Sequence, residues 1–135
     1  MKATFFIVLF TVVLFSCKKD PAIPVKGITD VSTLAEDRNF LSCLRKDIID
    51  LADSKPCTDP SNWKTTGFSI KACGGYWDAI AYSKDINERA FLEKVSYFHA
   101  QQRLFNQKYG WVSDCSFVIP SSKVVCENGK AKVVD

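Results

Sequence analysis

The sequence predicts an α+β domain: two helices packed on a small antiparallel sheet, stapled by disulfides. Three observations point there. Two stretches place apolar residues at alternating spacings of three and four. Two further stretches are short, rich in Thr, Val, Ile and aromatics, and interrupted by Gly-Gly or Asn-Gly. Six cysteines occur in only 135 residues. Apolar residues make up 47% of the chain, enough to build a core and to set disorder aside.

Thr33-Leu34-Ala35-Glu36 opens the first helix, with Thr33 as N-cap and Glu36 reaching back as in a capping box. Leu34, Leu41, Leu44, Ile48 and Leu51 then line one face, so a helix is expected over 33–53. Lys55-Pro56 and Asp59-Pro60 end it. Residues 63–72 predict a strand, Cys73-Gly74-Gly75 a turn, and residues 76–83 a second strand, making a hairpin. Gly67 would mark a bulge in the first strand. The second helix is expected over 85–109. Asp85 is its N-cap, Phe91, Val95, Phe98, Gln102, Phe105 and Tyr109 form its core stripe, and Gly110 is its C-cap. The stretch from Trp111 to Ile119 is expected to be β-rich, with a turn at Pro120-Ser121-Ser122. Asn128-Gly129 marks a final hairpin with arms 123–126 and 130–134.

The N-terminus has a different character. Lys2 precedes an eleven-residue stretch, 5–15, whose only polar member is Thr11. That is the length of a secretory apolar segment and too short to span a bilayer. Leu14-Phe15-Ser16-Cys17 resembles the bacterial lipobox. The resemblance implies cleavage after Ser16, a signal peptide over 1–16, and a lipid anchor on Cys17, with palmitate among its chains. Two or three acyl chains anchor stably where one is marginal. Lys18 stands where an Asp would imply inner-membrane retention, so the outer membrane is expected, and Lys18-Lys19-Asp20 is similar to charged signals for surface export. Residues 17–30 carry Pro21, Pro24 and Gly27 and are expected to be a tether reaching roughly 40 Å if extended. One domain would follow, over 31–135. Without residues 1–16, 17 bases face 15 acids, a balance that gives no reason to expect a nucleic-acid partner.

With Cys17 lipidated, five cysteines remain, and an extracytoplasmic compartment makes disulfides the expectation. Five thiols forming two bonds allow fifteen arrangements. Position along the chain favours Cys57–Cys73 and Cys115–Cys126, each closing a loop worth about 3 kcal/mol, with Cys43 a free thiol beside Leu44. No C-x-x-C occurs and His99 is the only histidine, so neither metal nor cofactor is expected. An enzyme is not expected either. A pairing of His99 with a cysteine is the only nucleophilic arrangement open, and Asp53 and Asp59 are loop carboxylates that nothing brings together.

The span from Cys57 to Val134 resembles a family of small secreted or lipid-anchored bacterial proteins, mostly uncharacterised. The likeness rests on Cys57 with Trp63, Ser69-Ile70-Lys71-Ala72-Cys73-Gly74-Gly75, Ile80-Ala81-Tyr82-Ser83, Val112-Ser113-Asp114-Cys115 and Cys126-Glu127-Asn128-Gly129-Lys130. Tyr76 departs from it, standing where a proline is expected. The resemblance implies one domain with Cys57, Cys73, Cys115 and Cys126 in disulfides, and no activity. The expected function is a lipid-anchored envelope binding module, a hydrolase inhibitor in its most specific form, with Tyr76 and Trp77 contacting a protein partner. The alternatives are a structural envelope lipoprotein without a ligand and a small enzyme using His99.

Overall fold

The computed structural model describes residues 27–116 and 122–134. The expected signal peptide, Cys17, most of the expected tether and the expected turn at Pro120 lie outside the described residues. Helix α1 runs Leu34–Ala52, strands β1 (Trp63–Gly67) and β2 (Ala79–Ser83) follow, then helix α2 (Glu88–Tyr109) and strands β3 (Lys123–Glu127) and β4 (Lys130–Val134). The architecture is α+β. The strands form two separate two-stranded antiparallel sheets, not the single sheet expected.

Both helices are set by local chemistry. The Thr33 hydroxyl accepts from the Glu36 amide, and the Glu36 carboxylate accepts from the Thr33 amide at 2.8 Å, so the capping box forms as expected. Helix α2 starts two residues later than Asp85 suggests. Asn87 is the N-cap and accepts from the Ala90 amide, whereas the Asp85 amide is turned toward the Ser83 hydroxyl at 3.1 Å. Glu88 instead reaches the first hairpin, where it accepts from Lys64 Nζ at 2.8 Å and the Tyr82 hydroxyl at 2.9 Å. Burial, and then Glu88, push the Tyr82 phenol up to about 12. Gly110 ends the helix at φ 62°, a left-handed conformation that glycine adopts without a Cβ penalty.

The β1–β2 register pairs Trp63 with Ser83 and Gly67 with Ala79. Paired residues share a face, so Tyr82 and Ile80 point one way while Trp63 and Ala81 point the other. The Tyr82 face packs on the helices in a core of Leu44, Ile48, Ala52, Phe68, Phe91, Val95 and Phe98. The Trp63 face packs on β3–β4 through Ala81, Val124, Ala131 and Val133. The result is three layers: helices, first hairpin, second hairpin. Gly67 makes no bulge. A Cβ there would lie 2.5 Å from the Tyr76 ring, so the glycine makes room for an aromatic.

The second hairpin turns at Asn128 and Gly129, both with positive φ, as a two-residue primed turn requires. The Cys57 amide donates to Gly129 O at 2.8 Å, which brings the stretch after α1 against this turn. Cys57 and Cys126 are then joined in a disulfide with their Cα atoms 5.3 Å apart. This corrects the expected pairing. Neither Cys57–Cys73 nor Cys115–Cys126 forms, because hairpin-on-hairpin packing, not proximity along the chain, decides which sulfurs meet. Cys43 is not a free thiol either. Asp37, 2% exposed, lies between the helices, where Lys108 Nζ and the Tyr109 hydroxyl each reach it at 2.8 Å. Burial pushes this carboxyl up, but the bonds from Lys108, Ser32 and Tyr109 outweigh it and hold the group low. Lys108 also donates to Thr29 O and Ser32 O, and the Ile28 amide to Gln101, so contacts with the domain begin before residue 31.

Candidate binding site

The first hairpin continues past its strands. Phe68 N donates to Asp78 O at 3.0 Å, Trp77 N to Ser69 O at 2.7 Å, and Ile70 bridges to Tyr76. The turn proper is 71–75, two residues wider than Cys73-Gly74-Gly75 alone. It closes through Lys71 N to Gly75 O, with Gly74 and Gly75 at φ 100° and 77°. Helix α2 holds this tip in place. Gln102 Oε1 accepts from the Ile70 amide at 3.2 Å, and His99 Nε2 lies 2.7 Å from Phe68 O. A carbonyl oxygen only accepts, so Nε2–H donates and His99 serves the hairpin as a strut, with the Tyr76 ring tilted against it at a centroid distance of 5.5 Å. Burial holds the imidazole below its ordinary range despite the carbonyl contact.

After Gly110, the Trp111 amide returns to Asn106 O at 3.0 Å and its ring packs on Phe105 at 6.0 Å, a helix stop with its accompanying apolar contact. The stretch 111–116 is irregular, not β-rich. It is bound to the hairpin tip by Lys71. This residue is 3% exposed, and its three ammonium donors go to Asp114 Oδ1 at 3.1 Å, Ser116 O at 2.8 Å and Ser116 Oγ at 2.9 Å. The Trp77 ring covers the same ammonium at 4.6 Å. The Lys71 and Ser116 bonds hold the Asp114 carboxyl below its usual range.

Between the 70–76 turn, α2 and Trp111 lies a cavity of about 550 Å³. Arg103, Asn106 and Gln107, at i, i+3 and i+4, supply its helical wall. Its chemistry is aromatic, amide and cationic. Arg103 makes no ion pair among the described residues. Trp111 is 51% exposed, and Trp77, over the neighbouring Lys71, is 55% exposed.

The structure brings Tyr76 and Trp77 to this site but splits their roles: Tyr76 is half-buried against His99 and Gly67, and only Trp77 is presented to solvent. Lys71, Arg103 and Trp111 were not singled out from the sequence. A tryptophan directly after a glycine helix stop was the available signal for Trp111. Nothing local marks a lysine as buried. Asp53 and Asp59 stay apart from the site. Asp53 caps α1 and pairs with Lys130 at 3.1 Å, while Asp59 caps the 60–62 turn by accepting from Ser61, whose bonds hold its carboxyl low. Cys73 and Cys115 are exposed thiols beside the cavity. Among the described residues no group of three His, Cys, Asp or Glu is placed to hold a metal, and no helix is long and apolar enough to cross a membrane. No protein-family model, curated protein or solved structure matches the chain.

Proposed function

We propose that the protein is a binding module of the bacterial cell envelope, anchored through lipidated Cys17 in the outer membrane and engaging an envelope protein through its Trp77–Trp111 face. The observation that carries this reading is the pair of half-exposed indoles beside a concavity. Large amphipathic rings at a cavity rim are costly to leave in water and are the side chains that most often anchor protein contacts. Arg103 on the cavity wall, without an ion-pair partner among the described residues, suits a segment that pairs a carboxylate with an apolar side chain. In its most specific form the partner is a hydrolase, blocked by having such a segment occupied. His99 is read as a structural strut of this binder, because its Nε2–H is spent on the Phe68 carbonyl.

The full chain, expressed in a Gram-negative host and photocrosslinked in intact envelopes, tests this. Saturable adducts with one partner are expected, and Trp77→Ala with Trp111→Ala should weaken them about 30-fold, equivalent to about 2 kcal/mol. Leu92→Ala, another exposed apolar position, should leave them unchanged. Radiolabelled palmitate should enter the chain and be lost in Cys17→Ser. Adducts that never saturate would favour the structural lipoprotein and remove the binding module.

A further inference from the structure

Cys73 and Cys115 are 42 positions apart in the chain, yet their sulfurs share one acceptor. Cys73 Sγ lies 3.8 Å and Cys115 Sγ 3.9 Å from the Ser113 carbonyl oxygen. Cys73 Sγ also lies 3.3 Å from Ser113 Oγ and 3.3 Å from Asp114 O, and its amide donates to Ser113 Oγ. Both residues are exposed. The turn that carries Cys73 is open, because nothing lies within 4 Å of where a Cβ on Gly74 or Gly75 would sit. The Lys71 clasp already holds 114–116 against this turn.

We propose that Cys73 and Cys115 close a further disulfide, one that a reductant reaches before Cys57–Cys126, and that this bond pins the 111–116 segment, whose Trp111 lines the cavity. In the first step the Cys73 thiolate attacks one sulfur of a donor disulfide, and the other donor sulfur leaves as a thiolate and takes a proton. Cys115 then loses its proton to solvent and attacks the Cys73 sulfur of the mixed disulfide, releasing the second donor thiol. Two protein thiols are oxidised by two electrons, and one donor disulfide is reduced to two thiols. The order follows from the local chemistry. The Ser113 hydroxyl, 3.3 Å from Cys73 Sγ, is placed to donate to a thiolate there, whereas the contact of Cys115 Sγ is to the Ser113 carbonyl oxygen, which has no proton to give. In keeping with this, the Cys73 thiol is held below its ordinary range and that of Cys115 is pushed up. Cys73 is therefore the attacking group and Cys115 the resolving one. The difference from the other bond is access: Cys57 is 3% exposed within an apolar cluster, whereas both members of this pair face water.

The test uses the full chain oxidised with glutathione disulfide, blocked with a maleimide and mapped by non-reducing digestion. The expected products are a Cys73–Cys115 linked peptide and, in graded dithiothreitol, reopening of this bond at about tenfold lower reductant than Cys57–Cys126. In Cys73→Ser, Cys115 should lose most of its reaction with glutathione disulfide, and in Cys115→Ser, Cys73 should be trapped as the glutathione mixed disulfide. Oxidation should also lower acrylamide quenching of Trp111, read as the difference from Trp111→Phe. Maleimide on both residues after oxidation, with Cys57–Cys126 intact, would overturn the proposal. So would reopening of the two bonds together, or unchanged quenching.

Discussion

Two cysteine pairs of this molecule sit in opposite surroundings. Cys57 and Cys126 lie where the two hairpins press together, covered by Trp63, Ala81, Val124 and Ala131. Cys73 and Cys115 lie in the open, at a hairpin tip and an irregular segment held by one buried lysine. The first pair locks layers that apolar contact has already aligned. The second sits where polar contacts do the aligning and where the exposed indoles are. The same residue type thus serves a packed interface in one place and a site open to exchange in the other.

Replacing Cys57 gives the largest effect that can sharpen this contrast. Cys57→Ser releases a bond spanning 69 residues, worth about 4 kcal/mol in the chain-entropy view. Thermal melting should fall by well over 10 °C, on the order expected for a domain of this size. With thiols kept reduced at the tip, Cys73→Ser should shift stability by only about 0.5 kcal/mol, since an exposed side chain is changed. Equal losses would break the comparison.

An intermediate effect is expected at Gly67. Its alanine variant puts a methyl group 2.5 Å from the Tyr76 ring and should cost about 1–3 kcal/mol in urea unfolding, with the tip of the hairpin displaced. Tyr76→Ala in the same chain should recover part of that loss. A neutral Gly67→Ala would mean that the tip is not seated on Tyr76.

The smallest effect concerns pH. Asp114 is held below the usual carboxylate range by Lys71 and Ser116, so its folded pKa is depressed. Its contribution is then fully present above the unfolded carboxylate pKa of about 3.9 and is lost as pH falls through the lower folded value. Trp77 covers the Lys71 ammonium, so tryptophan emission should change below about pH 4 in the native chain and lose that step in Asp114→Asn. Persistence of the step in the variant would assign it to another carboxylate, Glu88 being also held low.

Much of the fold was legible locally. Thr33 and Glu36 three positions apart, the four-and-three stripe through Phe91, Val95, Phe98 and Phe105, Gly110 as the helix stop and Asn128-Gly129 as a primed turn each act over a few residues, so the sequence carries them whole. The site was partly legible: Trp77 was marked by its place in a glycine-rich turn, whereas Lys71, Arg103 and Trp111 gave no comparable sign of meeting there. Asp85 in place of Asn87 is a near miss of the same local kind, settled by Ser83 engaging the Asp85 amide.

Contacts far apart in sequence were a different matter. The division of four strands into two sheets, the pairing of Cys57 with Cys126, the burial of Lys71 and the room that Gly67 leaves for Tyr76 all depend on which surfaces meet after the elements form. Helix caps and turns were therefore determined by neighbours in the chain. The sulfur partners and the cavity were decided by layer packing, because burial of apolar faces selects among arrangements that local geometry leaves equal.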